Sequence, residues 1–279
     1  MRFRIRMAQL FVVRAVILVL VVGLFTGGCA NTQPKLPVRV AVLTYNIYHG
    51  QDANGNSNLD AVAGIINSLK PDLVALQEVD KGTTRAKGLD LTAELSKRTG
   101  MKGVFGKAMD YAGGEYGEAI LCRHPVIETK NNPLPHTPEA EPRAALEARI
   151  QLPAGGPIVF VGTHLDHLRD QRNRMIQAGR IRELYADCDL PIILAGDLNA
   201  VPDSDPIALL VQEWSYAAQG DPRPTVPSVA PKRKIDYILF KKDRWRVVEV
   251  RVIDEKVASD HCPVFAVLEL LPQSENARH

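Results

Sequence analysis

The stretch PIILAGDLNA (residues 191–200) reads as a β-strand that delivers an acid to its own end: Ile192 to Ala195 are apolar, and Gly196-Asp197-Leu198-Asn199 follow at once. A strand fixes its last residue rigidly, while the loop after it opens a site. The same grammar recurs in five other places along the chain. These are TYNIYHG (44–50), LQEVD (76–80), THLDH (163–167), KIDYILF (234–240) and SDHCPV (259–264). Together they supply an Asn and a Glu, a His, an Asp with an Asn, a further Asp, and an adjacent Asp-His pair. Taken singly, each has a plain alternative: Gly-Asp-x-Asn is turn-rich, a strand-end Asn is a turn residue, and an isolated Glu is a surface charge.

Between these stretches, strand and helix patterns interleave. Apolar runs predict strands at 38–46, 72–78, 119–123, 145–152, 157–164 and 191–197, and the carboxyl third adds 235–240, 245–253 and 264–271. Leu59, Val62, Ile65, Ile66 and Leu69 share one helical face, with Ser57 or Asn58 as the N-cap. A second helix is expected over 89–100, ending at glycine, and a long one over roughly 170–187. This alternation indicates α/β layers, two sheets packed face to face with helices outside. About 250 residues after the leader suit one domain, placed at 38–272, with 29–37 as a tether and 273–279 as a polar tail.

The six motifs in this order resemble the endonuclease/exonuclease/phosphatase superfamily, from about Val38 to Leu271. YNIYHG followed by DYAGGEYG is most similar to a bacterial, secreted, lipoprotein-type branch, related to proteins associated with glycosylphosphatidylinositol-anchor remodelling. The resemblance implies a four-layer α/β sandwich, two mixed β-sheets flanked by helices, and divalent-metal-dependent hydrolysis of phosphoesters.

Asn46 and Glu78 offer hard oxygen donors suited to Mg²⁺ or Mn²⁺. The resemblance adds Asp260 as a third ligand, and casts His261 as the group that contacts the scissile phosphate or the attacking water, oriented by Asp236. Asp197 is the candidate base for the attacking water, and Asn199 positions that water or joins the metal. By resemblance His164 contacts phosphate or protonates the leaving group. Arg143, in EPRAALEARI (141–150), resembles a phosphate-contacting arginine, with a solvated surface charge as the alternative. His49 and Tyr111 are expected to line the pocket. Asp166 and His167 either line it or support it. Glycines 113, 114 and 117 permit close loop approach. YGEAILCR (116–123) resembles the family's AILSR-like strand, with Cys122 in place of Ser.

The first residues concern address. Four arginines (2, 4, 6 and 14), an apolar run from Ala15 to Phe25 and Gly27-Gly28-Cys29 describe a signal peptide over 1–28, whose start is Met1 or Met7. The run is shorter than the roughly 20 apolar residues of a membrane span. Cys29 is expected to carry a lipid and anchor an exported protein, at the outer membrane where a cell has one; ordinary cleavage nearby is the alternative. The formal net charge is +2, and residues 1–28 hold four arginines and no acids, so the remainder sits near −2. A DNA-handling domain is usually basic, so a small or lipid phosphodiester is the favoured substrate over nucleic acid, with a secreted nuclease and a non-catalytic phospho-ligand binder as alternatives. Cys122, Cys188 and Cys262 are expected to be free thiols, and the protein is expected to act as a monomer.

Overall fold

Twelve strands and four helices follow one another in the computed structural model, which describes residues 37–52, 54–219 and 223–272. The leader, Cys29 and the polar tail lie outside the described residues. Strand β1 (Arg39–Asn46) runs into a short 3-10 turn, and helix α1 (Leu59–Leu69) leads to β2 (Leu73–Lys81). Helix α2 (Leu91–Thr99) precedes the antiparallel pair β3 (Lys102–Tyr111) and β4 (Gly114–Cys122), and β5 (Val126–Leu134) then enters the other sheet. Next come β6 (Arg143–Gln151), β7 (Pro157–His164), α3 (Arg172–Leu184) and β8 (Ile192–Asp197). The chain ends with α4 (Asp205–Leu210), β9 (Trp214–Tyr216), β10 (Asp236–Lys241), β11 (Trp245–Val252) and β12 (Val264–Leu270).

These strands make two six-stranded mixed sheets, ordered β11-β12-β1-β2-β4-β3 and β5-β6-β7-β8-β10-β9. In each sheet one central pair is parallel, β1 with β2 and β7 with β8, and the other neighbours are antiparallel. Side chains alternate across a strand, and the core clusters follow that alternation. Val42, Leu73, Ala75, Ile120, Phe160, Ile193, Ala195 and Ile238 fill the space between the sheets. Their neighbours Leu43, Val74, Leu76 and Leu121 pack under α1 and α2. Ile192, Leu194 and Leu239 pack under α3 and α4. The central strands are therefore buried on both faces, which explains their continuous apolar runs. The four-layer sandwich expected from the sequence is the observed fold.

Helix α1 begins after Asn58, but that side chain does not cap it; its amide donates to the Val257 carbonyl. Helix α2 is capped by Asp90, whose carboxylate accepts from Ala93 N at 3.0 Å, and it closes on Gly100 in the left-handed region. Cys122, Cys188 and Cys262 are free. No helix of the described residues is long and apolar enough to cross a membrane.

Candidate active site

Alternation also aims the polar residues. Thr44 and Asn46 continue the inter-sheet face of β1, Glu118 that of β4, His164 that of β7, Asp197 that of β8 and Asp236 that of β10. At this end of the sandwich the apolar filling gives way to a polar cluster. The cavity it opens into measures about 330 Å³ and is lined by Glu78, His164, Asp197, Asn199 and His261, among others.

Glu78 reaches the cluster by a different route from the one expected. It does not end its strand: β2 continues to Lys81, and the pairing with β4 slips by one residue between Leu76 and Val79. Val74 and Leu76 face the helices, so by alternation an unbulged Glu78 would do the same and point away from the cleft. The extra residue re-aims it, with φ at +58°, a left-handed conformation that a non-glycine side chain adopts at a cost. Tyr48, His49 and Asn199 carry the same backbone sign, so four residues of the site sit in this region.

The contacts around Glu78 keep it charged. His49 Nδ1 lies 2.9 Å from Oε2, and the Asn46 amide donates to Oε1 at 3.1 Å. Burial pushes the carboxyl up, but the hydrogen bonds from His49 and Asn46 outweigh it and hold the group well below the ordinary carboxylate range. Asn46 also donates to Asp197 Oδ2 at 3.2 Å, while its own oxygen accepts from Tyr48 N.

A second chain of contacts carries protons. His261 Nδ1 lies 2.9 Å from Asp236 Oδ2, and Thr225 Oγ1 donates to that same carboxylate. His261 Nε2 faces Asp197 Oδ2 at 3.7 Å. Burial alone would lower the imidazole, yet Asp236 and Asp197 raise it, so it is an imidazolium at neutral pH. Asp197 is raised by burial and by Asp236, with His261 and the Asn199 N–H opposing. Asn199 does not gain its place by strand alternation; it turns back, its N–H donating to Asp197 Oδ1 at 2.9 Å.

His164 lies between two donors. Arg143 has no acceptor atom, so its Nη1 faces His164 Nδ1 as a donor at 3.1 Å, and the Asn199 amide nitrogen faces Nε2 from the other side. Burial first, then Arg143, keeps this ring well below the usual imidazole range, hence neutral. Nε2 points toward Asp197 Oδ2 at 3.5 Å and Asn199 Nδ2 at 3.0 Å. Arg143 itself is 2 % exposed, which removes the surface-charge alternative. Its Nη2 donates to Glu141 Oε2 at 2.9 Å, and its buried Nε has no partner among the described residues.

Not every expected position reaches the cavity. Asp166 is fully buried and lies outside the lining; its carboxylate accepts from Leu168 N, and Arg174 and Gln177 bind the same loop. It is a support for the strand-end loop rather than a substrate contact. His167 does line the cavity, 3.2 Å from Arg143 Nη2. Asp260 is exposed beside His261 and outside the lining, with Ser259 Oγ 3.4 Å from Oδ1; partial desolvation pushes its carboxyl up, with His261 opposing and the Glu78 charge adding. His49 and Tyr111 line the cavity as expected.

The donor set fits a hard divalent cation. Glu78 is ionised despite burial, Asp260 feels its charge, and the Asn46 oxygen retains a second lone pair beyond the one given to Tyr48 N–H. Among the described residues, Asp197, Asp236 and His261 also bring ligand atoms within 4.8 Å of one another. Asp236 already engages His261 Nδ1, so only Nε2 of that ring is left to face a cation or a substrate.

Glu118 belongs to none of the six motifs. It is fully buried with neither carboxylate oxygen partnered, and burial lifts it to about 8, with Arg143 opposing and Glu78 and Asp197 adding. Its one signal in the sequence is an acid inside the apolar run of YGEAILC. Arg85 and Met109 also line the cavity with no motif to announce them, as does Tyr116 at the head of YGEAILCR.

The family model described as Endonuclease/Exonuclease/phosphatase family matches residues 43–261. The match does not reach Cys29 and lends no support to a lipoprotein-type branch. The chain is 28 % identical over 246 residues to YbhP of Escherichia coli K12, covering 82 % of this chain and 96 % of that one. Its fold is similar to an endonuclease/exonuclease/phosphatase of Beutenbergia cavernae, with a TM-score of 0.71, 22 % identity, and coverage of 83 % and 72 % of the two chains. It is likewise similar to a mannosyl-6-phosphatase of Bacteroides thetaiotaomicron, at a TM-score of 0.68, 18 % identity, and coverage of 84 % and 100 %. With the six motifs converging on one cleft and the family model spanning most of the sandwich, the chain belongs to the endonuclease/exonuclease/phosphatase family, whose members are phosphoester hydrolases.

Proposed function

We propose that the protein is a divalent-metal-dependent phosphoester hydrolase, acting outside the cytoplasm on a small or lipid phosphoester, with a phosphodiester as the favoured bond. The observation that carries this reading is the convergence of Asp236–His261, Asp197 and the Arg143–His164 pair on one cavity. Mg²⁺ or Mn²⁺ held by Glu78, Asp260 and Asn46 would screen phosphoryl charge and stabilise the leaving oxygen.

The chain's own groups do the remainder. Asp197, whose carboxylate burial makes more willing to take a proton, accepts one from the attacking water, which Asn199 holds in place. His261, fixed by Asp236 in its charged form, presents Nε2–H to a phosphoryl oxygen as negative charge develops. His164, neutral, contacts the phosphoryl group without adding charge, and Arg143 orients it. No side chain is placed as a covalent nucleophile.

The test is a Mg²⁺-supplemented panel with the full-length protein: phosphomonoesters, small phosphodiesters, phospholipid vesicles and plasmid DNA. Small or lipid esters are expected to turn over faster than duplex DNA, and any DNA cleavage should fall steeply with salt because few phosphates are held at once. Efficient duplex cleavage at physiological salt, with none on small esters, would make the protein a nuclease.

A further inference from the structure

One wall of the cavity is used by no step of this chemistry. Arg85 stands beside the cleft with its guanidinium fixed on three sides. Asp80, fully buried, accepts from Nε at 2.7 Å and from Nη2 at 2.9 Å, and is itself bound by Thr83 Oγ1 at 2.6 Å. The guanidinium carbon lies 4.5 Å from the centre of the Tyr111 ring and 5.5 Å from that of Tyr116. Nη1 makes no hydrogen bond among the described residues. Tyr111 keeps 39 % of its surface open although its ring is an apolar body.

The wall is rigid by construction. Tyr111 and Tyr116 belong to the β3–β4 hairpin, turned by Ala112 and Gly113 at positive φ. Gly114 lies so close to the end of β2 that a Cβ would meet the Lys81 carbonyl at 2.4 Å, and a Cβ on Gly117 would meet the Gly106 carbonyl at 2.0 Å. Only glycine permits these approaches; that of Gly114 presses the hairpin against the end of β2 and the loop that carries Arg85, and that of Gly117 closes β4 tightly on β3. A polar donor and an open aromatic surface are thus preorganised next to a phosphoester centre, and neither contacts Asp197, His261 or His164.

We propose that Arg85 and Tyr111 form the leaving-group subsite, and that it selects phosphoesters of a hydroxylated six-membered ring, a sugar or cyclitol, over those of an open chain. The charge of Arg85 is cancelled by the two-pronged Asp80 contact, so the subsite adds no net attraction for a second phosphate. What it offers is a fixed N–H donor for a hydroxyl oxygen and an aromatic surface for ring C–H groups. A flexible acyl or glyceryl chain would use neither without losing its rotamer freedom. The cavity, about 330 Å³, is on the scale of a ring and its phosphate.

The inference rests on the phosphoesterase reading, so its test reads binding as well as turnover. Wild type, Arg85→Lys and Tyr111→Ala are compared in the full-length protein, with Mg²⁺ for turnover and Ca²⁺ for calorimetric binding. The probes are a hexose phosphate, inositol phosphate, glycerol phosphate, and vesicles of phosphatidylinositol or phosphatidylcholine. Ring esters are expected to be preferred at least ten-fold over their chain counterparts by wild type, with that ratio falling about ten-fold in both variants, mainly through KM. Preference for inositol phosphate would identify a free ester, and preference for phosphatidylinositol a lipid headgroup. Selective binding that the variants abolish, without turnover, would uphold the subsite and sink the phosphoesterase reading. A wild type indifferent to the ring, or a preference untouched in both variants, would overturn the subsite.

Discussion

Glu78 and Glu118 lie on paired strands of one sheet and have opposite electrostatics. Glu78 is stabilised as an anion by His49 and Asn46, whereas Glu118 has no hydrogen-bond partner and is held neutral by burial. Because its folded value, about 8, lies above the ordinary carboxylate range, Glu118 carries no ionisation penalty in acid, where folded and unfolded chains both keep the proton. As pH rises toward 8 the unfolded chain ionises and the folded one resists, so stability is lost over that window. Glu118→Gln should therefore raise Tm relative to wild type, more at pH 8 than at pH 5. Parallel Tm curves across that range would show that Glu118 is not held neutral. Of the site's residues, those at the ends of apolar runs, Asp197 and His164 closing theirs and Asp236 opening its own, were legible because strand ends are local. Glu118 was not, since an acid within a run looks the same whether it faces solvent or the space between sheets.

At the level of elements, the β7–β8 pair sets the floor of the site. A Cβ added at Gly196 would sit 1.9 Å from the Thr163 carbonyl, in the parallel register that puts His164 opposite Asp197. Gly196→Ala should cost about 1–3 kcal/mol and lower activity by displacing Asp197, read by denaturant unfolding alongside turnover. A wild-type unfolding midpoint would show that the pair can spread without penalty. The central strands were readable because burial on both faces makes them uniformly apolar. Strands β3 and β5 were not: β5, VIETKNNPL, is an edge strand exposed along most of its length and carries Pro133, so it has neither the run nor the alternation of a core strand. The bulge at Glu78 was hidden too, since it arises from pairing with β4, distant along the chain, and not from local pattern.

For the whole molecule, charge bears on the substrate. With residues 1–28 set aside the chain is near −2, which gives little long-range pull on a polyanion. Anchoring through Cys29 is a separate proposal: wild type should sediment with membranes and Cys29→Ala should stay uncleaved or become soluble, while a wholly soluble wild type would refute it. The central claim concerns the chemistry of the cleft, where ionised Glu78 and its neighbour Asp260 stand beside a proton-handling Asp236–His261–Asp197 chain. Its most direct test is hydrolysis of the best small phosphoester by wild-type protein stripped with EDTA, then resupplied with Mg²⁺ or Mn²⁺. Activity should vanish on stripping and return with either ion; full activity in the metal-free protein would contradict it.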